Sequence, residues 1–172
     1  KLKINYFINF ATLYKNNHVY NYIFNFIKSN ILFPTLIYDL ISQKATKVIN
    51  FGSMMQHKSS EKFESKNLYS ATKNAFEMIS NFYSYKEKNT KFYNLKLYES
   101  FGKNDNRKKL IPTIISNYKT KKTTIISSKN LELNIIHVND IINALIILLN
   151  NNIKPGSYCL KNNKNIKISK LI

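Results

Sequence analysis

Glycine is scarce in this chain, since only Gly52, Gly102 and Gly156 occur among its 172 residues. A glycine-rich phosphate-binding loop needs several glycines within a few positions, because its backbone turns tightly and approaches the ligand closely. The sequence therefore excludes a dinucleotide loop of the Gly-x-Gly-x-x-Gly or the Gly-x-x-Gly-x-x-Gly type. Cysteine occurs once, at Cys159, which excludes an internal disulfide and fits a reducing, cytoplasmic location.

Acidic residues and arginine are also rare, whereas lysine is abundant. The chain has 27 basic and 9 acidic residues, a formal net charge of +18, and Arg107 as its single arginine. Such an excess of positive charge is typical of proteins that bind nucleic acid. The lysines are spread through every segment, however, and recognition of phosphates and bases favours the planar arginine fork. We therefore rank nucleic-acid binding well below an enzymatic function.

Long apolar runs are absent as well. The longest, from Ile141 to Leu149, is broken by Asn143 and is too short to span a bilayer, so we expect no membrane segment. His18 and His57 show no metal-ligand spacing, so we predict no metal site. With 44% hydrophobic and 13% aromatic residues, the chain is instead expected to fold around an apolar core.

Short apolar and β-branched runs alternate with segments of helical periodicity. This alternation predicts βαβ units, a parallel sheet and right-handed crossovers. We expect strands over residues 3–10, 47–51 and 91–98, a helical segment over 19–42 that Pro34 kinks or divides, and a helix over 68–85. Beyond Gly102 we expect a helix over 110–118, followed by short strands over 123–127 and 134–137. The next helix is expected to be capped by Asn139 or Asp140 and to end at Leu149. We then expect a turn at Pro155-Gly156, a strand over 157–160 and the beginning of a helix over 166–172.

Tyr69 and Lys73 lie four residues apart in a predicted helix and therefore share one face. An ammonium group beside a phenol stabilises the phenolate, so we expect Lys73 to lower the pKa of Tyr69 from about 10. Tyr69 is then a candidate general acid/base, and Ser53 is a candidate hydroxyl for orienting a substrate oxygen. The alternative is an ordinary amphipathic helix with a surface lysine.

Several further strings surround these residues in a fixed order. They are Phe10-Ala11-Thr12, Ser29-Asn30 with Phe33-Pro34-Thr35, Asn50-Phe51-Gly52-Ser53, Tyr69-Ser70-Ala71-Thr72-Lys73, Leu95 to Gly102, and Ile136-His137-Val138-Asn139-Asp140. Together they resemble the extended short-chain dehydrogenases/reductases, that is, the NAD-dependent epimerase/dehydratases that act on nucleotide sugars. The resemblance implies an α/β fold with a Rossmann-like parallel sheet flanked by helices, here incomplete, plus part of a small substrate-binding lobe.

The resemblance also implies roles for individual residues. Ser53, Tyr69 and Lys73 would be the catalytic residues. NAD or NADP would be bound by Phe10, Ala11, Asn30, Tyr69 and Lys73. A nucleotide sugar would be bound by Glu99, Arg107 and Lys109. Residues 1–102 would form a partial NAD(P)-binding domain without the glycine-rich first βαβ unit, and residues 103–172 a partial substrate-binding region whose strands return to the sheet. The chain is thus expected to be N-terminally truncated, with helices 19–42 and 68–85 as a homodimer interface.

Within the family, three strings resemble nucleotide-sugar reductases of the CDP-abequose and CDP-paratose synthase type. They are Gly52 to His57, Asn67 to Lys73 and Gly102 to Pro112. Sugar 4,6-dehydratases need carboxyl groups directly after the active-site hydroxyl, and Met54 and Met55 cannot exchange protons. We therefore expect reduction of a nucleotide-linked 4-keto sugar or 4-epimerisation, in the synthesis of precursors for surface polysaccharides such as lipopolysaccharide. The alternatives are an inactive remnant that at most binds a nucleotide sugar, and a basic nucleic-acid-binding protein.

Overall fold

A computed structural model describes residues 4–15, 17–57, 64–107, 109–126, 128 and 130–171. Its strands are β1 (Ile4–Asn9), β2 (Ala45–Ser53), β3 (Lys91–Leu97), β4 (Glu99–Phe101), β5 (Glu132–Leu133), β6 (Ile135–His137), β7 (Gly156–Leu160) and β8 (Ile166–Lys167). Its α-helices are α1 (Ile23–Ile27), α2 (Phe33–Ile41), α3 (Leu68–Lys86), α4 (Leu110–Lys119) and α5 (Val138–Asn150). Short 3-10 helices cover Tyr20–Tyr22, Met54–Gln56 and Ile168–Lys170, and a π-helix covers Lys28–Leu32.

The chain divides into two compact units. The first contains Lys1–Leu97 and Asn151–Cys159, and the second contains Tyr98–Asn150 and Leu160–Ile172. The boundary thus falls at the end of β3, a few residues before the expected division after Gly102. The assignment of one part to the cofactor and the other to the substrate stays a prediction.

The first unit is built on a four-stranded sheet in the order β1-β2-β3-β7, in which β1 and β2 pair in parallel, as do β2 and β3. Helices α2 and α3 cover this sheet with a cluster of buried aromatic rings, to which Tyr38, Phe76 and Tyr83 contribute. Val48 and Phe92 meet these rings from adjacent strands. Burial of such large side chains is the main favourable term in folding. The expected α/β fold with a Rossmann-like sheet is confirmed.

Three buried asparagines lie side by side across the sheet above this apolar cluster. Asn9, Asn50 and Asn94 are in register, and each neighbouring pair is joined by an amide hydrogen bond of 3.1 Å. Asn9 Oδ1 also accepts a hydrogen bond from the Ala11 backbone N–H at 3.1 Å. Because buried amides need partners, this ladder fixes where β1 ends and its loop begins.

The long helical segment before β2 is interrupted near Pro34, as predicted. Its residues form α1, the π-helix and then α2, with Pro34 in the first turn of α2. Proline has no N–H to donate to the preceding turn, so it breaks the regular hydrogen-bond pattern of the helix at the point where the π-helix passes into α2. The π-helix places the side chain of Asn30 in the interior of the first unit.

The second unit contains α4, α5 and two small strand pairs, namely β4 with β6 in parallel and β5 with β8 antiparallel. The expected start of a helix over 166–172 is wrong for Ile166 and Lys167, which pair with β5 as strand β8, and is met only by the 3-10 helix Ile168–Lys170; Ile172 lies outside the described residues. Two further predictions are wrong here. Residues 123–126 form no strand, since Ile125 is 94% exposed and has no sheet to cover; Ser127 lies outside the described residues. Helix α5 begins at Val138, so Asn139 and Asp140 lie in its first turn, and His137 Nδ1 accepts the Asn139 N–H at 3.2 Å instead.

Across the described ranges, no helix combines the length and the apolar character that a membrane span requires. The same ranges contain no cluster of three or more histidine, cysteine, aspartate or glutamate side chains with the geometry of a metal site.

Candidate active site

Ser53 stands at the carboxyl end of β2, where the chain turns into the 3-10 helix Met54–Gln56. It caps this short helix: its Oγ accepts the Met55 N–H at 3.2 Å, and its own N–H donates to Gln56 Oε1 at 2.7 Å. This reciprocal capping box satisfies backbone groups that would otherwise lack partners. It leaves the hydroxyl proton of Ser53 available to another acceptor, because Oγ acts only as an acceptor in the cap.

A buried polar network holds Gln56, and through it Ser53, in place. Gln56 Nε2 donates to Glu77 Oε2 at 2.7 Å, and Glu77 Oε1 meets Lys96 Nζ at 3.0 Å in an ion pair whose side chains are both nearly inaccessible. Ser157 Oγ adds a 2.6 Å hydrogen bond to the same carboxylate. A Cβ at position 52 would overlap Gln56 Oε1 and displace it from the Ser53 N–H, which favours glycine there. Ser53 is therefore held in place through Gln56, which residues of α3, β3 and β7 support in turn.

Tyr69 lies in the first turn of α3, which begins with a second capping box. Asn67 Oδ1 accepts the Ser70 N–H at 3.0 Å, and Ser70 Oγ accepts the Asn67 N–H at 3.1 Å. The hydroxyls of Ser53 and Thr12 lie close enough to the Tyr69 phenol to lower its pKa. The Tyr14 ring meets the Tyr69 ring edge to face, with 4.9 Å between centroids. The structure thus brings the predicted Ser53 and Tyr69 hydroxyls together.

The pKa of Tyr69 shifts in the direction opposite to the one expected. Burial raises the pKa of the phenol, and the hydroxyls of Thr12 and Ser53, which lower it, do not offset this effect. The prediction that Lys73 lowers the pKa of Tyr69 is wrong because both side chains are buried, and desolvation disfavours the charged form of each. Tyr69 is therefore a neutral phenol at neutral pH, which suits a proton donor.

Lys73 lies one helical turn after Tyr69 and is only 4% exposed. Burial lowers the pKa of its ammonium group to about 8. Within the described part of the chain, this ammonium forms no hydrogen bond and no ion pair. The ammonium keeps access to solvent, and the role of Lys73 in cofactor binding stays a prediction.

Asn30 uses its side chain to fasten the loop after β1. Its Oδ1 accepts the Leu13 N–H at 2.7 Å and the Thr12 hydroxyl at 3.2 Å, while its Nδ2 donates to the Leu13 carbonyl and to Thr72 Oγ1, both at 3.0 Å. Thr72 in turn donates to the Tyr69 carbonyl at 2.7 Å. All of these partners belong to the chain, so Asn30 ties the β1 loop to α3. Its role in cofactor binding stays a prediction.

The other two residues predicted to contact the cofactor lie in the same loop. Phe10 is 64% exposed and stacks on the buried Phe51 ring, with 4.6 Å between centroids. Ala11 is exposed, and its backbone is held by Asn9. Both follow β1 at the carboxyl edge of the sheet, as Ser53 follows β2. This is the edge at which parallel α/β sheets bind ligands.

The three residues predicted to bind the substrate belong to the second unit and are engaged in ion pairs. Glu99 Oε1 lies 3.1 Å from Lys109 Nζ. Arg107 Nε donates to Asp105 Oδ1 at 2.7 Å, and Arg107 also donates to the Ser100 carbonyl at 2.9 Å. This pairing lowers the pKa of Asp105 and raises that of Arg107. Any anion bound here would have to compete with these carboxylates.

Sequence reasoning missed Thr12, Gln56, Glu77 and Lys96 as parts of the site. Glu77 was accessible to prediction, because it lies four residues after Lys73 and therefore on the same face of α3. Lys96 was accessible too, since a lysine in the middle of an otherwise apolar strand needs a partner. Thr12 and Gln56 depend on loop geometry that spacing does not reveal.

Comparisons with known proteins agree with this architecture. Over 127 residues the chain is 29% identical to the CDP-abequose synthase of Yersinia pseudotuberculosis, a match that covers 73% of this chain and 44% of the synthase. The fold is similar to that of the UDP-N-acetylglucosamine 4-epimerase from Methanobrevibacter ruminantium M1, solved in complex with UDP-N-acetylmuramic acid. The TM-score is 0.82 at 20% identity, over 97% of this chain and 58% of the epimerase.

A second solved structure, the UDP-glucuronic acid 4-epimerase from Bacillus cereus in complex with NAD, gives a TM-score of 0.82 at 15% identity, over 96% of this chain and 56% of that protein. The chain therefore spans about half the length of these relatives. The two structural matches establish the fold alone. The model of the NAD dependent epimerase/dehydratase family matches residues 1–160. With almost the whole chain matched, the protein belongs to the NAD dependent epimerase/dehydratase family.

Proposed function

We propose that this chain carries the proton-transfer site of an enzyme that reduces a nucleotide-linked 4-keto sugar or epimerises a nucleotide sugar at C4. The observation that carries the proposal is the placement of Ser53 at the carboxyl end of β2 and of Tyr69 and Lys73 one helical turn apart on α3, where the Ser53 hydroxyl lies close enough to the Tyr69 phenol to influence its pKa. A neutral phenol donates a proton to a developing alkoxide, and a neighbouring hydroxyl steadies the same oxygen.

The residues present fit part of a nicotinamide dinucleotide. The Lys73 ammonium, for which the described residues provide no hydrogen bond, suits the hydroxyls of the nicotinamide ribose. The exposed Phe10 and Ala11 follow β1 at the carboxyl edge of the sheet. No glycine-rich loop for the diphosphate occurs in these 172 residues. When bound, NAD(P)H supplies the hydride that reduces the C4 carbonyl carbon. Tyr69 supplies the proton to the C4 oxygen, and Ser53 orients that oxygen.

The two methionines after Ser53 restrict the chemistry. Met54 and Met55 form the 3-10 helix that Ser53 caps, at the positions where dehydration needs carboxyl groups to move protons. Their thioethers can neither take up nor release a proton. Reduction or epimerisation at C4 is therefore favoured over 4,6-dehydration. Sugar-nucleotide binding by Glu99, Arg107 and Lys109 is proposed as part of the same activity.

A ligand panel tests this proposal. We expect NADH or NADPH, each at millimolar concentration, to raise the melting temperature of the chain, and a CDP- or UDP-sugar to raise it further, because ligands that bind only the folded state stabilise it. The Lys73→Met variant should lose the response to the dinucleotide. An inactive remnant would respond to the nucleotide sugar alone. No response to any of these ligands, together with salt-sensitive binding to DNA, would contradict the enzymatic function.

We further propose that the first unit forms a homodimer through its helices. Exposed apolar side chains lie at helical spacing on α3, at Met78, Phe82 and Tyr85, and on α2, at Leu36 and Leu40. Contiguous apolar patches on two neighbouring helices are typical of protein interfaces. A second copy of the chain presents the same helix pair, which suits an isologous four-helix contact.

Sedimentation equilibrium tests the dimer. We expect the Phe82→Lys variant to sediment as a monomer at concentrations where the unmodified chain is dimeric, because a charge at the centre of an apolar interface is strongly unfavourable. The control is Ile146→Lys, since Ile146 is also a half-exposed apolar residue but lies on α5 of the second unit. A monomeric unmodified chain, or equal dissociation in both variants, would contradict the proposed interface.

A further inference from the structure

The short helix that follows Ser53 is fastened to α3 through one glutamine. Gln56 is only 1% exposed, although its helix has just three residues. Its amide nitrogen donates to Glu77 Oε2 at 2.7 Å and to Asn74 Oδ1 at 2.9 Å, and its amide oxygen accepts the Ser53 N–H at 2.7 Å. A glutamine amide has two N–H donors and one carbonyl oxygen. Both donors and the oxygen of this buried amide therefore have partners.

The identities of these partners determine which way the Gln56 amide points. The Ser53 N–H can only donate, and the Glu77 carboxylate, which forms an ion pair with Lys96 at 3.0 Å, can only accept. A rotation of the amide by half a turn would place a donor against a donor and an oxygen against a carboxylate. A methionine at position 56 would leave both the N–H and the carboxylate without this contact. Glutamine is therefore the side chain that suits both partners.

Asn74 makes the contact with Gln56 reciprocal. Its Oδ1 accepts one Gln56 amide proton, and its Nδ2 donates to the Gln56 backbone carbonyl at 2.8 Å and to Ser65 Oγ at 2.7 Å. The Lys66 N–H donates to the Met55 carbonyl at 3.1 Å. Carbonyls at the end of a helix lack partners within it. Here they receive donors from α3 and from the segment that leads into it, so the short helix is attached to α3 through its backbone as well as its side chain.

Helix α3 also carries Tyr69 and Lys73, the latter directly before Asn74 in the sequence. The backbone hydrogen bonds of a helix make it a stiff element, so a turn attached at Asn74 keeps its distance from Tyr69. We propose that Gln56 and Asn74 are positioning residues that hold Ser53 at a fixed separation from Tyr69 and Lys73. The inference rests on the proposed function of these three residues as the proton-transfer site. A displacement of about 1 Å between reacting groups is enough to cost about a hundredfold in rate.

Amide hydrogen exchange in the chain without ligand, followed by NMR, tests this proposal. The Asn74→Ala variant retains every atom of the Ser53 capping box. We nevertheless expect the protection of the Ser53 N–H to fall about tenfold, because Gln56 is then held on α3 by Glu77 alone among the described residues. The N–H of Val48, at the centre of the same strand, should keep its protection.

The Gln56→Glu variant gives a second reading, which depends on pH. Glutamate keeps the acceptor for the Ser53 N–H but sets an oxygen where the amide nitrogen lies 2.7 Å from Glu77 Oε2. Two carboxyl groups at this distance share a proton at low pH and repel each other once it is lost, so one pKa of the pair is raised. We expect the protection factor of Ser53 to lie within about threefold of the unmodified value at about pH 5 and to be about tenfold lower at about pH 8. The other charged or titratable groups that the described residues place beside Glu77 are Lys96 and, 2.7 Å from its ammonium, His57; both are present in the unmodified chain, which serves as the reference at each pH.

The matched control is Asn117→Ala, since Asn117 also attaches a loop to a helix, donating to a threonine hydroxyl at 3.0 Å, but lies in α4 of the second unit. It should leave the exchange of Ser53 unchanged. An unchanged Ser53 N–H in Asn74→Ala, an equal loss at Ser53 and Val48, or a Gln56→Glu variant without pH dependence would each overturn the proposal. Should Asn74→Ala fail to fold, Asn74→Leu, which keeps the branched shape without the amide, gives the same reading. Because no ligand is involved, this result is independent of the ligand panel that tests the proposed function.

Discussion

Replacement of Lys73 by methionine is expected to raise the free energy of unfolding of the chain by about 3 kcal/mol at pH 7. The reason is that burial of the Lys73 side chain disfavours its charged form and lowers its pKa from 10.5 to about 8. The folded chain therefore binds this proton less tightly than the unfolded chain does. Methionine fills similar space without a charge to desolvate.

The lowered pKa of Lys73 also determines how the stability difference between Lys73→Met and the unmodified chain depends on pH. Below pH 8 Lys73 is protonated in both states, and the full cost of burying its charge is present. Between about pH 8 and 10.5 the unfolded chain holds the proton and the folded chain releases it, so the stability of the unmodified chain rises relative to that of the variant. Above this window the difference disappears. Urea unfolding of the two proteins across this pH range measures it directly.

The matched control is Lys119→Met, since Lys119 is an exposed lysine near the end of α4. We expect this change to alter stability by less than about 0.5 kcal/mol at every pH. A Lys73→Met variant that is less stable than the unmodified chain at pH 7 would show that the ammonium has a partner after all. A stabilised variant that no longer responds to the dinucleotide would identify Lys73 as a residue kept for binding at the expense of stability.

Replacement of Lys96 by methionine is expected to destabilise the chain by about 3–5 kcal/mol, the typical loss when one member of a buried ion pair is removed. Lys96 lies in β3, at the centre of the sheet, and its ammonium is 3.0 Å from Glu77 Oε1. Without it, the buried carboxylate keeps, among the described residues, the hydrogen bonds from Gln56 and Ser157 and has no cation in contact. Urea unfolding at pH 7 provides the measurement.

Two further variants separate the charge effect from the loss of packing. The double variant Lys96→Met/Glu77→Gln is neutral and should recover part of the lost stability, because no uncompensated charge remains. Lys86→Met removes an ion pair with Glu87 that spans 3.6 Å and whose lysine is half exposed, so it should cost less than about 1 kcal/mol. Equal losses in Lys96→Met and Lys86→Met would contradict the buried network beneath Ser53.

Much of the first unit could be predicted from the sequence because its elements have strong periodic patterns. The strands around Val48 and Phe92 are apolar on both faces, as buried parallel strands are, and α3 repeats its apolar residues at helical spacing. The segment around Ile125 has the same β-branched composition but remains exposed and forms no strand. Composition alone does not say whether a neighbouring strand exists.

The sequence predicts which residues belong to the candidate site, but it does not predict how their pKa values shift. The spacing of Tyr69 and Lys73 indicates a shared helix face, and Ser53 follows a buried strand. Spacing does not indicate how deeply a side chain is buried, however, and burial decides whether the pKa of Tyr69 is raised or lowered. The Thr12 hydroxyl donates to the Asn30 amide, which comes from a different element 18 residues away. Such contacts follow only from the folded chain.

The central claim is that Ser53, Tyr69 and Lys73 form a site for the nicotinamide end of a dinucleotide. The most direct test is saturation-transfer NMR of NADH mixed with the chain, which reports which ligand protons contact the protein. The account predicts strong transfer to the nicotinamide and adjoining ribose protons, weak transfer to adenine, and loss of the nicotinamide signals in Lys73→Met. Transfer to adenine alone, or an equal pattern in Lys73→Met, would contradict it.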